Sequence, residues 1–89
     1  MIEIERIEII LTGKCDLERL REMKYEKLDP LTWRFIGRVH VYSFIANDAD
    51  ESIVVRITKI PNSHIPLVPE ITMRQMDSWV LDSIKKITI

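Results

Sequence analysis

The sequence predicts an α+β domain whose three-stranded, mostly antiparallel sheet carries two helices on one face. Apolar residues alternate with polar residues over three segments, which is typical of strands, and they recur at helical spacing over two others. These segments follow one another as strand, helix, strand, strand, helix. A chain of 89 residues holds one packed core, so we expect a single domain over residues 1–89.

The first strand is predicted over residues 2–11, and the first helix follows it. Isoleucines occupy one parity at the start of this strand and the other parity further along, so a bulge near Arg6 has to join the two phases. Thr12-Gly13-Lys14 is typical of a turn. Asp16 is a good N-cap, and Asp29-Pro30 ends the helix because the residue before a proline avoids the helical region. One side of this helix carries Leu17, Leu20, Lys24 and Leu28.

A long second strand over residues 32–46 and a third strand that ends at Pro61 are predicted to form an antiparallel hairpin. The turn-rich segment 47–51 connects them. In the second strand the expected inward residues are Trp33, Phe35, Val39, Val41 and Ile45. The expected outward residues are Arg34, Arg38, His40 and Tyr42. In the third strand Ile53, Val55 and Ile57 alternate with Val54, Arg56 and Thr58.

The last helix is predicted to begin at Thr72, after an irregular segment 61–71 that holds three prolines. Thr72 and Gln75 match a capping box, and Ile71 can pack onto Met76 as a hydrophobic staple. Two lysines near the C-terminus lie where the helix dipole favours cations. The buried stripe of this helix is expected to contain Met73, Met76, Val80, Ile84 and Ile87.

The composition argues against several classes of protein. Lysine and arginine number 13 and aspartate and glutamate 14, and a net charge of −1 excludes a strongly basic protein that coats nucleic acid. No apolar run approaches the roughly 20 residues that span a bilayer. The acidic, alternating start does not resemble a signal peptide, so we expect a cytoplasmic protein without a membrane anchor. Two glycines and many Ile, Glu and Lys residues are typical of a stiff chain from a thermophile.

Single residues that could react or bind a metal give only weak indications of a site. Cys15 precedes a helix whose dipole could lower its pKa, but a small buried thiol is the commoner case. The acidic segment 48–51 lacks the glycine and the distant glutamate of a calcium loop, which favours a solvated turn. His64 has no partner nearby in the sequence. We identify no set of nucleophile, base and orienting group, and we expect no enzymatic activity, no cofactor and no metal site.

Basic and aromatic side chains on the expected outer face of the sheet leave three interpretations open. These residues are Arg34, Arg38, His40, Tyr42 and Arg56. Such residues can hold single-stranded nucleic acid by charge and stacking. A solvated outer face and a sheet surface used for dimerisation explain them equally well.

The outer side of the last helix is a candidate contact surface. One flank is expected to contain Arg74, Ser78, Leu81 and Lys85, and the other Trp79 and Lys86. Exposed leucine and tryptophan on one short helix indicate a binding surface. The alternative is that Trp79 only covers an edge of the core.

The same helix carries a resemblance to a known family. Met73-Arg74, Ser78, Ser83-Ile84-Lys85 and Ile87 resemble the last helix of the small dimerising subunit of the KEOPS (EKC) complex. In that family a Leu-Arg pair opens the helix, a small polar residue follows, and an Ile-Lys pair lies near its end. The chain length, the order of elements and the stretch Leu28-Asp29-Pro30 are similar too. Met73 stands where the family has leucine, and the segment 61–71 and the second strand are longer than in the family. These departures fit either a diverged paralogue or an unrelated protein of the same fold.

The resemblance implies a non-catalytic subunit that pairs through its sheet and uses its helices to hold the catalytic subunit that makes threonylcarbamoyladenosine on tRNA. Arg74, Ser78 and Lys85 match the family motif, whereas Trp79 and Leu81 come from helix geometry alone. We therefore expect a homodimer, or a heterodimer with a paralogue, that contacts tRNA weakly or only within the complex. The alternative is a stand-alone nucleic-acid-binding module that uses Arg34, Arg38, His40 and Arg56.

Overall fold

A five-stranded antiparallel sheet with strand order β1-β5-β4-β3-β2 is the centre of the fold. The computed structural model describes residues 4–11, 14–47, 49–50 and 52–88. The elements are β1 (Arg6–Leu11), α1 (Leu17–Glu22), β2 (Glu26–Asp29), β3 (Thr32–Ile36), β4 (His40–Asn47), β5 (Ser52–Lys59), α2 (Pro69–Arg74) and α3 (Ser78–Ile87). The predicted α+β class with an antiparallel sheet is confirmed, but the prediction of three strands is wrong.

The first helix begins as predicted and ends early. The Asp16 carboxylate accepts a hydrogen bond from the Arg19 backbone N–H at 3.2 Å, and this caps α1. The backbone is already extended at Met23, so Leu28 lies exposed in the edge strand β2 and not on a helix. Pairing of β2 with β3 and burial of the Tyr25 ring outweigh a helical spacing that is a weak local preference.

The predicted strand over residues 32–46 is a hairpin of two strands, β3 and β4. The Gly37 N–H donates a hydrogen bond of 2.8 Å to the His40 carbonyl oxygen and closes a turn at residues 37–39. Phe35 lies opposite Tyr42 across this hairpin, so both side chains occupy the same face. The turn inverts the parity that the sequence predicted for β4. His40 and Tyr42 therefore lie on the core side, whereas Val41 and Ile45 lie on the outer face.

The hairpin of β4 and β5 is confirmed, and it carries the centre of the core. Its two strands pair without a register shift from His40↔Lys59 to Asn47↔Ser52. One face of the sheet contributes Trp33, Tyr42, Phe44, Ala46, Ile53, Val55 and Ile57 to the core. The layer that covers this face contributes Leu17 and Leu20 from α1, Val80 and Ile87 from α3, and Leu67 and Met76 from the segments before α2 and α3. The prediction of two helices is wrong in number, since the described part of the chain has three, and α1 and α3 are the ones that supply residues to this core.

The predicted C-terminal helix is two helices with a corner between them. Pro69 occupies the first turn of α2, where its missing N–H costs nothing. Thr72 is buried inside α2 and caps no helix, and Met73 is exposed although the stripe placed it inside. Asp77 is the N-cap residue of α3 with an extended backbone. From there on the predicted stripe holds, since Val80 and Ile87 are buried and Ile84 packs against the core.

The predicted first strand corresponds to β1, which lies at one edge of the sheet beside β5. β1 pairs with β5 without a shift from Arg6↔Thr58 to Leu11↔Ile53, and Ile4 packs against the core just before it. The expected strand residues 2–3, the turn residues Thr12-Gly13 and the acidic residues 48 and 51 lie outside the described residues. In the part of the chain that the structure describes, no helix is long and apolar enough to cross a membrane.

Candidate interaction surfaces

The outer face of the sheet, which the helical layer leaves uncovered, is organised in rows that cross the strands. Its middle row contains Glu8, Arg56, Ser43, Arg34 and Glu26, as the register places them side by side. Nη2 of Arg34 lies 2.8 Å from a Glu26 carboxylate oxygen, and Nη2 of Arg56 lies 3.5 Å from one of Glu8. Two arginines and two glutamates cancel, so this row carries no net charge.

An aliphatic strip lies beside the middle row, on the side of the β4–β5 turn. It consists of Ile10 in β1, Val54 in β5 and Ile45 in β4, which are neighbours in register. Ile10 is 68% exposed, the highest value among the large apolar side chains that the structure describes, and the other two are half-buried. Antiparallel sheets with one uncovered face usually present polar residues there. A run of aliphatic side chains across three strands is therefore a candidate contact surface.

The four residues of the nucleic-acid alternative do not lie together on this face. Arg34 and Arg56 are on it, one on either side of Ser43, but each is paired with a glutamate. Arg38 lies in the β3–β4 turn with its side chain 89% exposed. His40 is only 2% exposed and belongs to the core side, because the turn inverted the strand parity. The expectation that His40 and Tyr42 share the outer face is therefore wrong.

The predicted flank of the last helix is preserved in part. Ser78, Leu81 and Lys85 lie on one exposed side of α3, and Leu81 is 42% exposed. Arg74 is also exposed, but it ends α2 and lies before the corner at Asp77. The prediction that one continuous helix aligns Arg74 with Leu81 and Lys85 is wrong for this reason.

Trp79 both covers the core and reaches solvent. Its ring centroid lies 4.7 Å from that of Tyr25 and 4.7 Å from that of Phe35, which closes the β3 side of the core. It remains 40% exposed. Because the ring already has aromatic partners within the chain, we regard Leu81 as the better anchor for a partner on this helix.

The structure also locates three further residues that the sequence analysis singled out. Cys15 is 2% exposed, burial raises the pKa of its thiol, and its backbone pairs with Thr88. Asp50 accepts hydrogen bonds from the Ser52 N–H and hydroxyl, as in a solvated turn. His64 is exposed in the segment between β5 and α2. No group of three or more potential metal ligands occurs among the described residues.

One cluster was missed by the sequence analysis, at the corner between α2 and α3. The Asp77 N–H donates a hydrogen bond of 3.1 Å to the Tyr42 hydroxyl, and Arg38 Nε lies 3.9 Å from an Asp77 carboxylate oxygen. The same carboxylate lies so close above Gly37 that a Cβ there would collide with it. A glycine inside an apparent strand is the signal that could have revealed this close approach.

The chain was compared with protein-family models, with curated proteins and with solved structures, and none of the three comparisons found a match. The resemblance to the small KEOPS subunit therefore stays a prediction.

Proposed function

We propose that this chain is a non-catalytic interaction subunit. It forms a homodimer, or pairs with a paralogue, through the outer face of its sheet, and it holds a larger catalytic protein by the exposed side of α3. The tRNA-modifying KEOPS-like assembly implied by the sequence resemblance is the specific form of this proposal. It makes the larger protein the enzyme that forms threonylcarbamoyladenosine, with tRNA bound weakly or only in the assembly.

The aliphatic strip is the observation that carries the proposal. Ile10, Val54 and Ile45 present a continuous apolar surface where water-exposed sheets are normally polar. The neighbouring middle row is charged but neutral as a whole, so two such faces can approach without net repulsion. A chain of 89 residues also hides a small share of its surface by itself, and pairing would enlarge its core.

A triple threonine variant tests the sheet surface. Ile10→Thr, Val54→Thr and Ile45→Thr keep β-branched side chains, which strands favour, but make the strip polar. We expect light scattering to give a dimer for the natural chain at micromolar concentration and a monomer of 10.5 kDa for the variant. Circular dichroism should show that both are folded. A natural chain that is monomeric throughout that concentration range would refute the dimer.

A second variant separates the two surfaces. Leu81→Gln lies on α3 and outside the sheet, so it should leave the dimer intact and reduce co-purification of the larger partner from source cells. The triple threonine variant, by contrast, should lose the dimer. If Leu81→Gln binds every co-purifying protein as tightly as the natural chain, the helix is not the partner-binding surface. Identification of the co-purifying proteins by mass spectrometry then tests the KEOPS-like assembly itself.

A further inference from the structure

The middle row of the outer face has the same order of charges from either edge of the sheet. From β1 to β2 its side chains are Glu8, Arg56, Ser43, Arg34 and Glu26. The serine on the central strand β4 therefore has an arginine and then a glutamate on each side. A two-fold axis fixes which residue of one copy faces which residue of the other, so this order limits how two such faces can pack.

A two-fold axis parallel to the strands places each row over the same row of the partner, with its order reversed. If that axis follows β4, Arg56 faces the partner's Arg34. If it follows β5, Arg56 faces the partner's Arg56. Both placements bring arginine against arginine, and like charges that face each other across an interface are unfavourable.

An axis between two strands pairs opposite charges instead. With the axis between β5 and β4, Arg34 faces the partner's Glu8, and by symmetry the same contact forms a second time. With the axis between β4 and β3, Arg56 faces the partner's Glu26. Each of these two placements overlaps four of the five strands.

The aliphatic strip distinguishes these two placements. With the axis between β5 and β4, Val54 packs on the partner's Ile45. Ile10 then lies over the partner's Thr32. With the axis between β4 and β3, Val54 faces the partner's Asp29, and Ile10 lies outside the overlap. The first placement removes the strip from water, and this is where the hydrophobic gain lies.

The row on the other side of the middle row fits the same placement. It contains Arg6, Thr58, Val41 and Ile36. Ile36, which is 54% exposed, lies over the aliphatic stem of the partner's Arg6. An axis perpendicular to the strands is less favourable. Through the middle row it places each charge on its own copy, and through the strip it leaves the row of Ile36 beyond the ends of the partner's strands.

We propose that two copies pack face to face about a two-fold axis that runs parallel to the strands between β4 and β5, with each Arg34 facing the partner's Glu8. This geometry rests on the dimer proposed above and specifies its register. Packed sheets lie about 10 Å apart with their strands at about 30°. Both residues lie about 7 Å from the axis, so this angle displaces them by about 4 Å, which long side chains can bridge. The new contacts extend the pairs with Glu26 and Arg56 into one network of alternating charge.

An exchange of charge between two chains tests this register. In the Arg34→Glu homodimer two glutamates face each other at both contacts, and in the Glu8→Arg homodimer two arginines do. We expect the dissociation constant of each homodimer to rise at least about tenfold, measured by light scattering on dilution. A mixture of the two chains should form heterodimers, because each contact then has one arginine and one glutamate. Native mass spectrometry distinguishes the heterodimer by its mass.

Glu26→Arg is the matched control, because it makes the same change of charge on the same row but in a strand outside the overlap. Its mixture with Arg34→Glu should form no excess of heterodimer. A second exchange uses the strip and does not depend on the charged row. Thr32→Glu and Ile10→Lys should each weaken their homodimer, and a mixture of the two should form heterodimers. Circular dichroism checks that each variant is folded.

The outcomes separate the register from the dimer itself. A natural chain that stays monomeric refutes both. A natural dimer whose folded Arg34→Glu and Glu8→Arg variants pair as tightly as before, or give no excess of heterodimer when mixed, overturns the register and leaves the dimer standing. The same holds for the strip exchange if a charge variant does not fold. Heterodimers between Glu26→Arg and Arg56→Glu would instead place the axis between β4 and β3.

Discussion

Truncation of two adjacent residues in α3 tests the orientation of this helix, on which both the core and the partner surface depend. Val80 is 0% exposed inside the core cluster, whereas Leu81 next to it is 42% exposed. Val80→Ala removes two methyl groups, which is about 1.6 kcal/mol of transfer free energy, and the remaining cavity adds to this. Alanine gains about 0.5 kcal/mol of helix propensity over valine, so we expect a net loss of about 2 kcal/mol.

Leu81→Ala is the control, since exposed substitutions away from caps and core change stability by within about 0.5 kcal/mol. Domains are stable by roughly 0.05–0.15 kcal/mol per residue, so a loss of about 2 kcal/mol is easily resolved by urea unfolding followed by circular dichroism. The unfolding midpoint of Val80→Ala should fall clearly and that of Leu81→Ala hardly at all. Equal losses for the two variants would mean that the helix is rotated from the orientation described, and Leu81 could not then serve as a partner contact.

Four further predictions concern stability at alkaline and at acid pH, nucleic-acid binding and the thiol. Burial raises the pKa of the Tyr25 and Tyr42 hydroxyls, so the native state keeps protons that the unfolded state releases. The free energy of unfolding, measured by urea titration, should therefore fall as pH rises above about 10. At the acid end His40 has a lowered pKa, so the unfolded state binds the extra proton and stability should fall as pH drops below about 6.5; a flat profile in either range contradicts the burial argument. The isolated chain should bind tRNA only weakly at physiological salt, and submicromolar affinity would favour the nucleic-acid alternative. Cys15 should react with a thiol reagent only slowly in the folded chain and rapidly in urea, and fast reaction without denaturant would contradict its burial.

Local sequence patterns correctly predicted those elements whose structure depends mainly on residues within the same segment. The alternation of Ile53, Val55 and Ile57 identified β5 and its buried face, and Asp16 identified the start of α1. Spacing along the helix also placed Leu81 and Lys85 outside and Val80 inside. These features depend on one element and its immediate flanks, so periodicity and capping rules suffice for them.

The errors arose where contacts between residues far apart in the sequence determine the structure. The turn at residues 37–39 carries one glycine inside a pattern of alternating apolar and polar residues, and such a pattern resembles an uninterrupted strand until its pairing partner is known. Missing this turn reversed the faces of β4, and so placed His40 outside and Ile45 inside. The aliphatic strip could not be predicted, because it joins residues from three strands that only the register brings together.

The arrangement of charge on the outer face distinguishes its possible occupants. Nucleic acid binds through cations that are available to phosphate, and each phosphate contact gains from displaced counterions. Here Arg34 and Arg56 already have glutamate partners, so a phosphate would have to compete with a carboxylate for each of them. A phosphate would give the aliphatic strip beside them no favourable contact. The strip is removed from water only when it packs against another apolar surface. A second copy of the same face would provide such a surface and add no net charge, and this supports the proposed protein partner over a polyanion.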